Sequence, residues 1–313
     1  MIGRRKAPEI ISDNGKNWIN SKPLSLDSLQ GKVVLLDFWA YSCVNCVRTL
    51  PALREIWKKY KDKRFVLIGI HTPEFEFEKE IGNVKYAVKK HRLDYPVLQD
   101  ADRINWERYG NRFWPRAALI DSEGRVVMDH VGESGYDKID LRIAELLKSM
   151  GEIDEIKNIK EEGRNYMGGI SPETYIGSLR GKISSGKVCS KDGCDEYSDS
   201  GEHERDSVYL DGDWNVEKEY SEFLGRNGHI AYRFFASEVN LVLSGYGKAE
   251  VLLNDKPIPK DKAGKDIFFE KGKSYVHVEG ADMYNLVKSK EFFEGDLKII
   301  AFEEMKAYAF TFG

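Results

Sequence analysis

The run Val33-Val34-Leu35-Leu36-Asp37-Phe38-Trp39-Ala40-Tyr41-Ser42-Cys43-Val44-Asn45-Cys46 decides the reading of the N-terminal half. Its four leading apolar residues predict a buried strand, and 47–60 carries Leu50, Leu53, Ile56 and Trp57 at helical spacing. A strand that hands over to a helix here delivers two cysteines, three apart, to the helix start. The thiolate is the nucleophile of disulfide chemistry, and the positive end of a helix stabilises it. A partner thiol one turn on can resolve a mixed disulfide within the chain. Zinc knuckles share this spacing but need a second ligand pair, and none follows at the usual distance. Redox chemistry is therefore favoured over metal binding, with Cys43 as the attacking and Cys46 as the resolving thiol. No metal or cofactor is expected.

Working outward, strand-like and helix-like segments alternate, which predicts an α/β domain. The strands are 33–38, 64–70, a short piece at 95–98, and a hairpin of 116–121 with 124–128. Amphipathic helices are predicted over 78–90 and 137–150. Asp37 is an acid inside an apolar strand, so it must pair or carry a raised pKa; a raised value suits proton exchange with Cys46. Pro115 opens the 116–121 strand, a position where proline is tolerated. Trp39, Tyr41, Ser42 and Trp114 flank these groups and are the candidate substrate-contacting residues. His71, at a strand end, is expected to bond a loop carbonyl rather than tune Cys43.

At 313 residues, 41% apolar and 32% charged, the chain suits two soluble globular domains. A net charge of −4 and a pI near 6.0 give no nucleic-acid footprint. No stretch approaches the roughly 18 uninterrupted apolar residues of a membrane helix. The basic start, Met1 to Pro8, has no apolar stretch after it, so a cytoplasmic location is the expectation, or an extracytoplasmic one behind an upstream anchor or signal. The boundaries expected are 1–151 for the redox domain, 152–169 for a linker and 170–313 for a β domain. In that last part short β-rich runs recur at 230–235, 238–243, 248–253, 267–269, 275–278, 284–287, 297–302 and 307–312, an all-β sandwich pattern.

Asp37-Phe38-Trp39-Ala40 with Cys43-x-x-Cys46 and Pro51 resembles the thioredoxin superfamily. The segments 69–75 (Gly-Ile-His-Thr-Pro-Glu-Phe) and 95–97, with Trp106 and Trp114-Pro115, narrow the likeness to the TlpA/DipZ-like thiol–disulfide oxidoreductases. It extends through 171–177, Leu210-x-Gly212-x-Trp214 and 307–313. The resemblance implies a thioredoxin fold with a helical insertion near 78–90, followed by a jelly-roll domain similar to carbohydrate-binding modules. It implies that Cys43 and Cys46 are the redox pair and that Pro115 is a cis-proline beside them. Trp114 would then pair its backbone with a bound substrate strand and cover the site. Protein disulfides are the implied substrates and an unidentified thiol the reductant. The intervening Val44-Asn45 leaves the direction of electron flow open, and the branch favours reduction.

Cys189 and Cys194 lie in a polar stretch and are expected to form a structural disulfide; free thiols, or a metal with His203 or Asp192, are the alternatives. The other histidines suggest no cluster. Aromatic residues 209, 214, 220, 232, 234 and 235 could stack on a glycan, but alternation favours the core. Two rival functions remain at this point: a glycan- or partner-binding protein with an accessory redox domain, and a thiol peroxidase. The adjacent resolving cysteine counts against the peroxidase.

Overall fold

The computed structural model describes residues 5–157, 159, 168–190 and 193–313, with side chains of 188–190 and 193–195 outside the description. The chain divides into two compact units, Met1–Asn165 and Tyr166–Gly313. Much of the expected linker, residues 160–167, falls outside the described residues.

The first unit is built on β1 (Val33–Trp39), β2 (Phe65–His71), β3 (Val97–Gln99), β4 (Arg116–Ile120) and β5 (Val126–Val131), in the order β3-β2-β1-β4-β5. β1, β2 and β3 run parallel, and β4 and β5 antiparallel. The helices are α1 (Val44–Tyr60), α2 (Ile81–Lys90), α3 (Ile104–Arg108) and α4 (Tyr136–Ser149). Every residue of β1 and β2 is buried, which is why both read as unbroken apolar runs. Period-two alternation sends Val33, Leu35 and Trp39 to the face covered by α1 and α4. Val34, Leu36 and Phe38 go to the opposite face, where Ala7, Ile10, Trp18 and Trp106 cover them. Asp37 therefore shares the α1 face with Leu35 and Trp39.

One local detail differs from the sequence expectation. The helix predicted over 78–90 is split: Glu76–Lys79 forms a 3₁₀ turn and α2 begins at Ile81. In the N-terminal stretch Ala7, Ile10 and Trp18 are buried.

The second unit contains β6 (Thr174–Tyr175), β7 (Gly186–Ser190), β8 (Gly193–Ser198), β9 (Val208–Val216), β10 (Ser221–Phe223), β11 (His229–Ser244), β12 (Tyr246–Leu253), β13 (Lys256–Pro257), β14 (Ile267–Glu270), β15 (Lys273–Glu279), β16 (Asp282–Ile300) and β17 (Lys306–Phe312). These strands join in one hydrogen-bonded network around one core. Two long strands make that possible. Residues 229–232 of β11 pair with β9, while residues 239–244 pair with β17, and register shifts between Ala236 and Glu238 and between Val239 and Asn240 separate the halves. The predicted runs 230–235 and 238–243 are thus one strand, as are 284–287 and 297–302.

Candidate functional site

β1 ends at Trp39 and the chain turns through Ala40–Ser42 into α1. Cys43 is the N-cap of α1, in extended conformation, and its Sγ accepts the Cys46 backbone N–H at 3.3 Å. One of the orphan donors of the first helical turn is thereby aimed at the sulfur. Both thiols are buried, Cys43 at 7% exposed and Cys46 at 0%, so Cys43 is the nearer of the two to solvent. Both are free thiols.

Under the pair lies Asp37, whose carboxylate is fully buried and has no hydrogen-bond partner among the described residues. Burial raises its pKa from 3.8 to about 7. Gly69 stands opposite it on β2, and a methyl group there would come within 3.1 Å of both Trp39 Nε1 and the Tyr95 ring. The absent side chain leaves room for those two large groups around the acid. Burial first, then the hydrogen bond and charge of Cys43, push the Cys46 thiol well up, with the Asp37 charge adding to them. Burial and the Asp37 charge likewise push up the phenols of Tyr95 and Tyr136. The pair therefore has one sulfur at the helix N-cap and a second, wholly buried and protonated, near a carboxyl able to change charge near neutrality.

The peptide bond Trp114–Pro115 is cis. Arg116 pairs with Phe38, so Pro115 lies one step further, level with the end of β1 and beside the cysteine turn. The Trp114 ring packs on Trp106 with ring centroids 4.1 Å apart, Arg103 lies over both rings, and Trp114 also packs against the core cluster that holds Cys43 and Cys46. Trp106 is held by Asp100, whose carboxylate accepts the N–H groups of Asn105 and Trp106 at 2.9 and 2.8 Å and so ties down the start of α3.

Three candidate substrate contacts are buried. Trp39 lies wholly in the core, its indole edge-on to His71 at 5.0 Å. Tyr41 stacks on the same imidazole at 5.5 Å, and Ser42 is turned inward onto Glu78. Apolar area favours burial of the two aromatic rings, and the bonds to Glu78 satisfy Ser42. His71 bonds no loop carbonyl through Nε2; that atom accepts the Tyr41 N–H at 3.3 Å, and burial lowers the imidazole pKa to about 3.

Glu78 was not distinguishable in the sequence from its neighbours Glu76 and Glu80. In the structure it is fully buried, and its Oε1 accepts both the N–H and the O–H of Ser42, at 3.2 and 2.9 Å. Its Oε2 accepts the N–H groups of Glu74 and Phe75 at 2.5 and 3.2 Å. Burial nevertheless raises its pKa to about 7.

In the second unit the side chains of Cys189 and Cys194, and Asp192 with them, lie outside the described residues. His203 is engaged elsewhere: Nδ1 meets Asp296 at 2.7 Å and Nε2 meets Asp199 at 2.9 Å. His229 shares Asp199 at 2.7 Å, so two histidines do cluster, brought together by strands distant in sequence. Among the described residues no group of three or more metal-type ligands is placed to hold an ion. Tyr209, Trp214, Tyr232 and Phe234 are buried in the core, as alternation suggested, while Tyr220 and Phe235 are half-buried.

Residues 7–145 match the Redoxin family, and residues 171–313 match the family described as a thioredoxin like C-terminal domain. The chain is 33% identical over 265 residues to Protein DipZ of Mycobacterium bovis, covering 80% of this chain and 37% of that protein. The chain belongs to the thioredoxin family, in its TlpA/DipZ-like branch. This thioredoxin-family chain spans little more than a third of the DipZ length, 37%. It is also 26% identical over 144 residues to thiol-disulfide oxidoreductase YkuV of Bacillus subtilis, covering 46% of this chain and 95% of YkuV. A solution structure of a thioredoxin-like protein in the oxidized form aligns at 26% identity with a TM-score of 0.43, covering 48% of this chain and 99% of that one. The N-terminal unit of this family member is thioredoxin-like, and the C-terminal unit is a large β-sheet domain. No helix among the described residues is long and apolar enough to cross a membrane.

Proposed function

We propose that the chain is a protein thiol–disulfide oxidoreductase that works through Cys43 and Cys46, in the reducing direction. The observation that carries this reading is the asymmetry of the pair: one sulfur at the helix N-cap and nearer to solvent, the other wholly buried near an unpartnered carboxyl. The Cys43 thiolate attacks one sulfur of a substrate disulfide; a Cys43–substrate disulfide forms and the other substrate sulfur leaves as a thiolate that takes a proton from solvent. Cys46 then gives its proton to the Asp37 carboxylate, and its thiolate attacks Cys43 Sγ. The Cys43–Cys46 disulfide forms, the mixed disulfide breaks and the second substrate sulfur leaves as a thiolate that takes a proton from solvent, while Asp37 returns its own proton to solvent. Two electrons pass from the pair to the substrate, and an external thiol reductant restores the dithiol. A carboxyl with a pKa near 7 is matched to this transfer at neutral pH.

In this reading Pro115 and the backbone of Trp114 line the place where an extended substrate strand pairs beside Cys43. The division of labour follows the boundaries 1–151, 152–169 and 170–313, with the redox step in the first part and a jelly-roll-like scaffold in the last. Tyr209, Trp214, Tyr232 and Phe234 lie in the core and offer a glycan no stacking face. Replacing Cys46 by Ser tests the scheme. The variant is expected to accumulate a mixed disulfide between Cys43 and a protein substrate, read by mass spectrometry. Absence of any adduct at Cys43 with a disulfide-bonded protein such as insulin overturns it. The pair's reduction potential checks direction: about −270 mV, as in thioredoxin, fits a reductase, whereas about −120 mV fits an oxidant.

A further inference from the structure

Glu78 is a buried carboxylate that touches the cysteine turn directly, and the thiol chemistry above gives it no task. It lies in the segment between β2 and α2, 36 residues from Ser42 in sequence. Ser42 immediately precedes Cys43, and Glu78 Oε1 takes both of its donors, the backbone N–H and the hydroxyl. The other oxygen is occupied by the N–H groups of Glu74 and Phe75. A carboxylate with four donors, two from each segment, is a bracket between them. The segment carrying Glu78 is itself anchored to the sheet, because Gln99 Nε2 at the end of β3 donates to the Lys79 carbonyl at 2.7 Å and the Glu78 carbonyl at 3.3 Å.

We infer that Glu78 is a positioning residue for the redox pair: by gripping Ser42 it fixes the turn that keeps Cys43 at the N-cap of α1, with Sγ on the Cys46 N–H. The inference rests on the reading of Cys43 as the attacking thiol and adds to it the element that sets its geometry. Serine is the residue that suits position 42, because an alanine there keeps the N–H and loses the second donor. His71 faces the same carboxylate from β2 at 3.9 Å and Glu74 from the adjoining turn, so a change of charge at Glu78 is felt by both.

Position and charge predict opposite signs, which makes the inference testable. Loss of a nearby negative charge by itself favours a thiolate and moves the pH midpoint of Cys43 alkylation down. Release of the turn withdraws the helix end and the Cys46 N–H from the sulfur and moves the midpoint up. The experiment is iodoacetamide alkylation of the reduced full chain as a function of pH, with Cys43 resolved from Cys46 by peptide mass spectrometry. Glu78→Gln is expected to raise the Cys43 midpoint by about half a pH unit, the scale of a helix-terminus interaction. Ser42→Ala is expected to raise it in the same sense by less, and the double variant by no more than Glu78→Gln alone. A midpoint that falls or stays fixed in Glu78→Gln, or fully additive shifts, overturns the inference. If Glu78→Gln does not fold, the sign of the Ser42→Ala shift decides. Alkylation needs no disulfide substrate, so a wild type inert toward insulin contradicts the proposed function and leaves this result to stand by itself.

Discussion

Asp37 concentrates the physics of the site. A carboxyl with no partner stays buried because protonation removes its charge, and the raised value of about 7 records that cost. The folded value lies above the unfolded one, so the native state holds the proton more tightly and stability falls as pH rises from about 4 through 7. Asp37→Asn is therefore expected to equal wild type in stability near pH 4 and to exceed it above pH 7 by up to about 4 kcal/mol, the equivalent of moving a carboxyl from 3.8 to about 7. Urea unfolding across this range reads the difference. A variant less stable than wild type at pH 8 contradicts it. His71 acts in the opposite sense: its folded value near 3 lies below its usual 6.5, so acid costs stability from 6.5 downward in both proteins and cancels in the comparison. The same variant is expected to resolve mixed disulfides about 100-fold more slowly at pH 7, the usual worth of a positioned proton acceptor. At this scale the sequence was informative where chemistry is constrained. An acid in an apolar strand and two cysteines at a helix start stand out; Glu78, flanked by two other glutamates two residues away on each side, does not.

Among the elements, β1, β2, β4, α1 and α4 were legible because each is long enough for its hydrophobic period to repeat. α3 was not, since Ile104–Arg108 is barely more than one turn and depends on Asp100 for its first N–H groups. Asp100→Ala leaves those donors buried without an acceptor and is expected to cost about 2–3 kcal/mol. It should also loosen the Trp106–Trp114 stack next to Pro115, seen as a change in near-ultraviolet circular dichroism. A loss below about 0.5 kcal/mol speaks against this account of α3. β11 and β16 were each read as two strands, because the chain passes a bulge or a run of charged residues without leaving the ladder. Periodicity breaks at such points although the hydrogen bonding continues.

Across the whole molecule, two compact units of different architecture share one chain, and the proposed redox step is assigned to the first. Gly264 offers a way to perturb the second alone. A methyl group there would lie 2.1 Å from the Asn285 carbonyl oxygen, so Gly264→Ala forces backbone apart at β16. The expected result is a loss of about 3 kcal/mol in that unit, visible as faster hydrogen exchange in β16, with Cys43 alkylation unchanged within twofold. Unchanged exchange in β16 would contradict it. The side-chain contacts that bring Asp199, His203 and His229 together could not have been read from sequence, since three strands and a loop must first pair. The central claim remains the redox role of the cysteine pair, and turbidimetric reduction of insulin with excess dithiothreitol tests it most directly. Wild type is expected to accelerate the reaction and Cys43→Ser to return it to the uncatalysed rate; a Cys43→Ser protein as active as wild type would contradict the account.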